Sequence, residues 1–198
     1  MLTEIGRALR PAIVLLLLLT GITGLAYPAL ITGVAQVVMP AQANGSLIRD
    51  GDRVVGSALI AQGFASPRYF HPRPSAAGKD GYDASASAAT NLSPGSKDLR
   101  DAIAARVADA RAQGLTGANV PPDLVTTSAS GLDPDLSPEA AFSQVARVAK
   151  ARGLPEARVR AIVDAAIQKP LLGILGERRV NVLLLNRQID GLATNAAR

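Results

Sequence analysis

The sequence predicts an α+β protein with a single amino-terminal transmembrane helix followed by one extracytoplasmic α+β domain. Three observations carry this. Residues 11–48 form a run of 38 without a formal charge. Short Val/Ile/Leu pieces broken by glycine follow it, and three later segments show helical apolar spacing behind capping residues.

The apolar run is dominated by Leu, Ile, Val, Ala and Gly from Ala12 to Ala35. As a helix, those residues would span about 36 Å, enough to cross a hydrocarbon core of about 30 Å with some tilt. A transmembrane helix over 11–38 is therefore expected. A cleaved signal peptide is the competing reading, since Arg7 and Arg10 precede the run and Ala41-Gln42-Ala43 has the small-x-small form of a cleavage site. An h-region is usually about 7–15 residues, and this run continues well past that. Arg7 and Arg10 lie before the helix and no cation follows until Arg49. The positive-inside rule then leaves residues 1–10 in the cytoplasm and 39–198 outside. Within the helix, Pro28 removes a backbone donor and is expected to kink it. Thr20, Gly21, Gly24 and Gly33 thin its surface, and the four-residue spacings Thr20–Gly24 and Ala29–Gly33 would let another helix approach closely.

Leu47 to Phe64, broken by Gly51 and Gly56, reads as one or two hairpin strands. A weak strand is also expected at Leu124–Thr127. Between them, Phe64 to Gly95 is rich in Pro, Gly, Ser and Ala and holds Phe64, Tyr69, Phe70 and Tyr82. A loop of that length in a compact domain is commonly functional or disordered. Aromatics interleaved with Arg68 and Arg73 imply that it docks on its own domain or on another chain; Phe70, Arg73, Tyr82 and Asn91 are the candidate docking residues.

Ser96 caps a predicted helix with Leu99, Ile103 and Val107 on one face, ending near Gly114. Ser137-Pro138-Glu139 opens a second, with Phe142, Val145 and Val148 or Ala149 as its stripe and Gly153 as its stop. Pro155-Glu156 starts a third, carrying Val159, Ile162, Val163 and Ala166. Val180 to Ile189 is a buried helix or a strand.

Composition removes most chemistry. The 198 residues contain no Cys and one His, His71, which excludes disulfides, thiolate catalysis, Cys-ligated metals and sites built on several histidines. The net charge of +5 comes from 21 cations against 16 anions, and 17 of the cations are Arg scattered among the acids; a nucleic-acid partner is not expected. Gly78-Lys79-Asp80 lacks the rest of a P-loop, and no Gly-x-Ser-x-Gly elbow exists. The pairs Asp80/Asp83 and Asp133/Asp135 lack the ligand series of an EF-hand and read as turn residues. No catalytic residue and no metal ligand is assigned.

Several strings in order carry a family resemblance: Phe70, Arg73-Pro74-Ser75-Ala76 and Tyr82-Asp83; Asn91-Leu92 with Pro94; Pro122-Asp123-Leu124-Val125-Thr126 running into Ser130-Gly131-Leu132-Asp133-Pro134 and Ser137; Gln144, Arg147-Val148-Ala149 and Ala151-Arg152; and Leu172-Gly173-Ile174-Leu175-Gly176-Glu177 with Val180-Asn181-Val182-Leu183 and Leu185-Asn186. Over essentially its whole length the chain resembles the KdpC subunits of the Kdp potassium-transporting P-type ATPases, departing from their pattern at Ser93, Ala129, Asp135 and Arg178.

The resemblance implies a non-catalytic accessory subunit of the bacterial inner membrane, needed for assembly and activity beside a channel-like potassium-binding subunit (KdpA), an ATP-hydrolysing subunit (KdpB) and a small membrane subunit (KdpF). The complex moves potassium. The chain would hold no cofactor of its own. ATP enters only because the family is described as a catalytic chaperone that raises the ATP affinity of the ATPase subunit, with the glutamine matched by Gln144 contacting nucleotide. The predicted topology opposes that contact, because an external Gln144 would be separated from cytoplasmic ATP by the bilayer. Read from its own position, Gln144 lies mid-helix and fixes a neighbouring loop by hydrogen bonding. A membrane-anchored periplasmic domain binding a small solute is the alternative function, and a directly ATP-binding protein a further one.

Overall fold

The computed structural model describes residues 2–115 and 120–196. Met1 and 197–198, the outer ends of the predicted amino-terminal stretch and external domain, lie outside the described residues. The chain divides into two compact units, one ending at Leu47 and one beginning at Ile48.

The first unit is helical: α1 (Leu2–Thr20), a π-helical stretch (Gly21–Ala26), α2 (Tyr27–Val38) and the single turn α3 (Pro40–Ala43). Helix begins at Leu2, so the predicted amino-terminal stretch and apolar run are one continuous element with Pro11 inside it. Thr3–Val38 is long and apolar enough to cross a membrane, and none of it is buried. The irregularity expected at Pro28 is taken up in the turns before it. Pro28 lacks an N–H and its ring would crowd the carbonyl of Gly24 in a regular α-helix; the wider π turns remove that conflict, and the Tyr27 N–H bonds back to the Ile22 carbonyl.

The second unit opens with the hairpin of β1 (Leu47–Asp50) and β2 (Arg53–Ser57), turned at Gly51 in a left-handed conformation. Residues 58–96 contain no helix or strand. Then come α4 (Lys97–Ala112), α5 (Pro138–Ser143), α6 (Val145–Arg152), α7 (Glu156–Ala166) and α8 (Val182–Ala196). Between α4 and α5 lies a 3₁₀ turn at Pro122–Leu124, and the two-residue strands β3 (Asp135–Leu136) and β4 (Val180–Asn181) pair antiparallel, Asp135 opposite Asn181 and Leu136 opposite Val180.

The predicted caps hold. Ser96 Oγ accepts from the Leu99 N–H and Ser137 Oγ from the Ala140 N–H, while Gly153 ends α6 at φ 66°. The core is Leu136, Ala140, Ala141, Val145, Val148, Ala149, Val159, Val163, Val180, Val182, Leu185 and Ile189, joined by Phe70 from the long loop. Val180 to Ile189 resolves into both predicted alternatives, strand β4 leading straight into α8.

Two sequence expectations are corrected. Leu124–Thr127 is not a strand: Pro122 starts a 3₁₀ turn in which Val125 and Thr126 both donate to the Pro122 carbonyl. The segment from Ser137 to Gly153 is not one helix but two, broken at Gln144. The apolar stripe continues across the break, so the spacing could not announce it.

Candidate functional site

The long loop is held against the second unit by side chains that reach it from the helices, and the break at Gln144 is where that hold is strongest. Gln144 is 1% exposed. Its Oε1 accepts from the His71 N–H at 2.8 Å and its Nε2 donates to the His71 carbonyl at 3.1 Å. Oε1 also accepts from the Arg147 guanidinium at 2.5 Å, and Nε2 donates to the Ala140 carbonyl at 3.3 Å. A carboxamide has two acceptor positions and two donors, and all four are occupied within the domain.

One residue earlier in the loop, Asn186 of α8 makes the same bidentate contact. Its Oδ1 accepts from the Phe70 N–H at 2.8 Å and its Nδ2 donates to the Phe70 carbonyl at 2.9 Å. The Phe70 ring is thereby driven into the core, where it is fully buried.

Two arginines of α6 complete the hold. Arg147 donates to the carbonyls of Pro67 and Tyr69 at 2.9 and 3.0 Å, and its Nε is buried with no partner among the described residues. Burial lowers its pKa to about 10, which still leaves it charged at neutral pH. Arg152 donates to the Arg68 carbonyl and to Asp190, both at 2.7 Å, and its guanidinium lies 5.0 Å from the Tyr69 ring centroid.

Farther along, Arg73 donates to the Thr127 carbonyl at 3.2 Å and pairs with Asp133 at 3.4 Å. The Tyr82 hydroxyl donates to the Arg73 carbonyl at 2.8 Å, and Ser75 Oγ accepts from the Tyr82 N–H at 2.7 Å. Of the four candidate docking residues, Phe70, Arg73 and Tyr82 thus make their contacts inside their own domain. Asn91 is exposed, at φ 50°.

Beside Gln144 lies a cavity of about 200 Å³ whose walls include His71, Tyr82, Arg106 and Arg147. Burial pushes the His71 imidazole below its ordinary 6.5, and the Arg147 charge pushes it further. Burial pushes the Tyr82 hydroxyl up. Of the aspartates read as turn residues, Asp83 and Asp133 act as such, Asp83 Oδ1 accepting from the N–H and hydroxyl of Ser85 and Asp133 Oδ1 from the Asp135 N–H, whereas Asp135 lies in β3 and pairs with Arg179 at 3.2 Å. Among the described residues no group of three or more His, Cys, Asp or Glu is arranged to hold a metal ion.

In the first unit, a side chain on Gly24 would come within 3.9 Å of the Thr20 methyl, so these two share a face, while Gly21 and Gly33 border open space.

These features lie within a match that runs through both units. The family model described as KdpC, "K+-transporting ATPase, c chain", matches residues 9–191. The chain belongs to the KdpC family. It is 59% identical over 182 residues to the potassium-transporting ATPase KdpC subunit of Allorhizobium ampelinum, covering 92% of this chain and 95% of the relative. The corresponding subunit of Caulobacter vibrioides is 57% identical over 183 residues, 92% of each chain, and that of Gemmatimonas aurantiaca 55% over 188 residues, 95% of this chain and 94% of the other. With its long apolar helix, this KdpC-family chain is a membrane-associated protein. Arg147, Arg152 and Asn186 stood in the matching strings without a role; the sequence signal for Arg152 and Asn186 was that each is a polar residue at a position of an otherwise apolar helical stripe.

Proposed function

We propose that the chain is the accessory subunit of a potassium-transporting P-type ATPase of a bacterial inner membrane, needed to assemble and stabilise the complex and for ATP-coupled potassium import. The observation that carries the reading is a family match that takes in the apolar helix and the following domain together, with relatives named as KdpC subunits over nine-tenths of their length. The helix anchors the chain, with Thr20, Gly21, Gly24 and Gly33 as the small residues at which neighbouring helices pack. Arg7 and Arg10 hold the amino terminus in the cytoplasm, so the domain from residue 39 is periplasmic. There it covers the outer face of the channel-like subunit (KdpA), with Asn91 on the docking side of its loop, in a complex that also holds the ATP-hydrolysing subunit (KdpB) and the small membrane subunit (KdpF).

In this reading Gln144 serves by fixing the loop. A nucleotide contact by the same side chain would first have to break one of the four bonds it makes at home. Any change in the ATP affinity of the complex then passes through a two-state element that both sites bias.

Co-purification with the other subunits in mild detergent, with potassium-stimulated ATP hydrolysis scored with and without the chain, tests the proposal. Loss of assembly or of stimulated hydrolysis without it is the expected result. A complex fully active in its absence would favour an anchored small-solute-binding domain. Because the chain has no Cys, Ala105→Cys on the exposed face of α4 reports the side of the membrane, and labelling from the periplasm alone is expected.

A further inference from the structure

The excursion between α7 and β4 ends in an apolar tip. Leu171, Leu172, Ile174 and Leu175 are 68, 82, 80 and 57% exposed, in a domain whose other large aliphatics mostly face inward. We infer that this tip inserts into the interfacial region of a lipid bilayer with anionic headgroups. The inference rests on the membrane-anchored reading above and adds a second contact with the same membrane.

Three observations favour lipid as the occupant. The loop bonds four of its five N–H groups internally: those of Leu171 and Leu175 exchange bonds with each other's carbonyls at 2.9 and 3.0 Å, Gly173 donates to Pro170 at 3.0 Å and Ile174 to Leu171 at 3.3 Å. A tip closed in this way carries one donor unbonded among the described residues, on Leu172, into the interfacial region, where headgroups and water still meet its free carbonyls. Left-handed φ at Leu172, Gly173 and Gly176 (55, 77 and 93°) makes that closure, so the side chains are splayed outward by the turn itself.

Charge provides the second observation. The neck is tied by the mutual bonds of Gln168 and Arg179, and exposed Lys169 and Arg178 flank it with Glu177 as the one acid between them. Aliphatic side chains beyond a collar of cations match the order of hydrocarbon and anionic headgroups met on entering a bilayer. Third, five residues at a hairpin tip offer little area beside the roughly 800 Å² per partner that a stable protein interface buries. Lipid demands no shape complementarity. The covalent tether keeps the domain at the membrane surface in the anchored reading, since only residues 39–46 separate α2 from β1.

The chain has no Trp, so Ile174→Trp introduces a lone reporter at a site where no packed atom is lost. The full chain is reconstituted in vesicles of phosphatidylcholine and phosphatidylglycerol with brominated acyl chains. Leu17→Trp in the apolar helix and Leu59→Trp, exposed in the same domain, serve as references. The expected result is quenching of Ile174→Trp by about twofold or more, near that of Leu17→Trp, with Leu59→Trp unquenched and the effect weakened in phosphatidylcholine alone. Leu172→Trp is expected to repeat it. Quenching at Leu17→Trp alone would overturn the inference and leave the anchor standing; quenching at none of the three would overturn both. Equal quenching at Leu59→Trp, or a blue shift at Ile174→Trp seen only when the other subunits are added, would also overturn it, the latter in favour of a protein partner.

Discussion

Gln144 and Asn186 clamp consecutive residues of one loop with the same chemical group. Each carboxamide accepts from one backbone N–H and donates to the carbonyl of the same residue, His71 for Gln144 and Phe70 for Asn186. Truncating either leaves an N–H and a C=O unpaired at once, buried at Phe70 and half-buried at His71. Gln144→Ala and Asn186→Ala are each expected to destabilise the domain by about 2–4 kcal/mol, read as a shift in urea midpoint with the slope unchanged. A cost under about 0.5 kcal/mol would mean that water replaces the side chain freely and that the clamp does not hold the loop.

The equivalence of the two clamps separates loop fixation from nucleotide contact. If Gln144 acts by fixing the loop, Asn186→Ala should change the ATP KM of the assembled complex in the same direction and by a similar factor as Gln144→Ala. Only Gln144 is implicated in nucleotide contact by the family resemblance. A KM raised by Gln144→Ala and untouched by an equally destabilising Asn186→Ala would therefore point to direct contact.

His71, the single imidazole of the chain, gives a clean pH signature. Burial and the Arg147 charge hold its folded-state pKa below the ordinary 6.5. The folded state thus binds the proton less readily than the unfolded state. Stability is full above 6.5 and falls as pH drops from there toward the lowered folded value. Asp135 has the opposite sign: burial raises its pKa above 3.8 despite Arg179 and the Asn181 amide, with Asp133 adding to the rise, so protonation favours the fold. The decisive readout is the difference between the parent and His71→Gln, whose melting temperature should lose the fall between about pH 7 and 5.5. Parallel curves for the two would remove His71 as the cause.

What the sequence discloses here is local. Ser96, Ser137 and Gly153 are caps that act within four residues, and the α7 stripe of Val159 and Val163 needs only its own period. Strands β3 and β4 are two residues each and owe their existence to a pairing between Asp135 and Asn181 across the chain, so no alternation marks them. The order of the long loop is equally distant in origin. It has no elements of its own, and Gln144, Arg147, Arg152 and Asn186 place it from helices more than 70 residues away. The same bonds set the break at Gln144, which an uninterrupted apolar stripe conceals.

The membrane helix offers a prediction independent of the domain. Gly24 shares a face with Thr20, and Gly24→Leu would fill the thin surface there. Recovery of the other subunits in co-purification is expected to drop severalfold, while the urea midpoint of the domain stays put, since packing between membrane helices depends on close backbone approach. Undiminished recovery would assign the glycines to the helix alone.

Gly131 and Gly153 form a matched pair for testing where the loop is seated. Both are left-handed, at φ 67° and 66°, so Ala at either meets the same backbone penalty of about 1–2 kcal/mol. Their surroundings differ. A side chain on Gly153 meets nothing within 4 Å, whereas one on Gly131 would lie 2.6 Å from the Ala88 carbonyl oxygen and 2.8 Å from the Ala77 nitrogen, both backbone atoms of the long loop. Those atoms cannot swing aside as a side chain can, because the Ala88 N–H is bonded to the Ser130 carbonyl at 3.0 Å and the Ala77 carbonyl accepts from Asp83 at 3.1 Å. Gly131→Ala should therefore cost at least about 2 kcal/mol more than Gly153→Ala, the excess being loop displacement rather than φ strain. Proteolysis supplies the second readout: cleavage within residues 76–90 should accelerate in Gly131→Ala and stay at the parental rate in Gly153→Ala. Equal costs with unchanged cleavage would mean that the loop is not seated on the turn at Gly131.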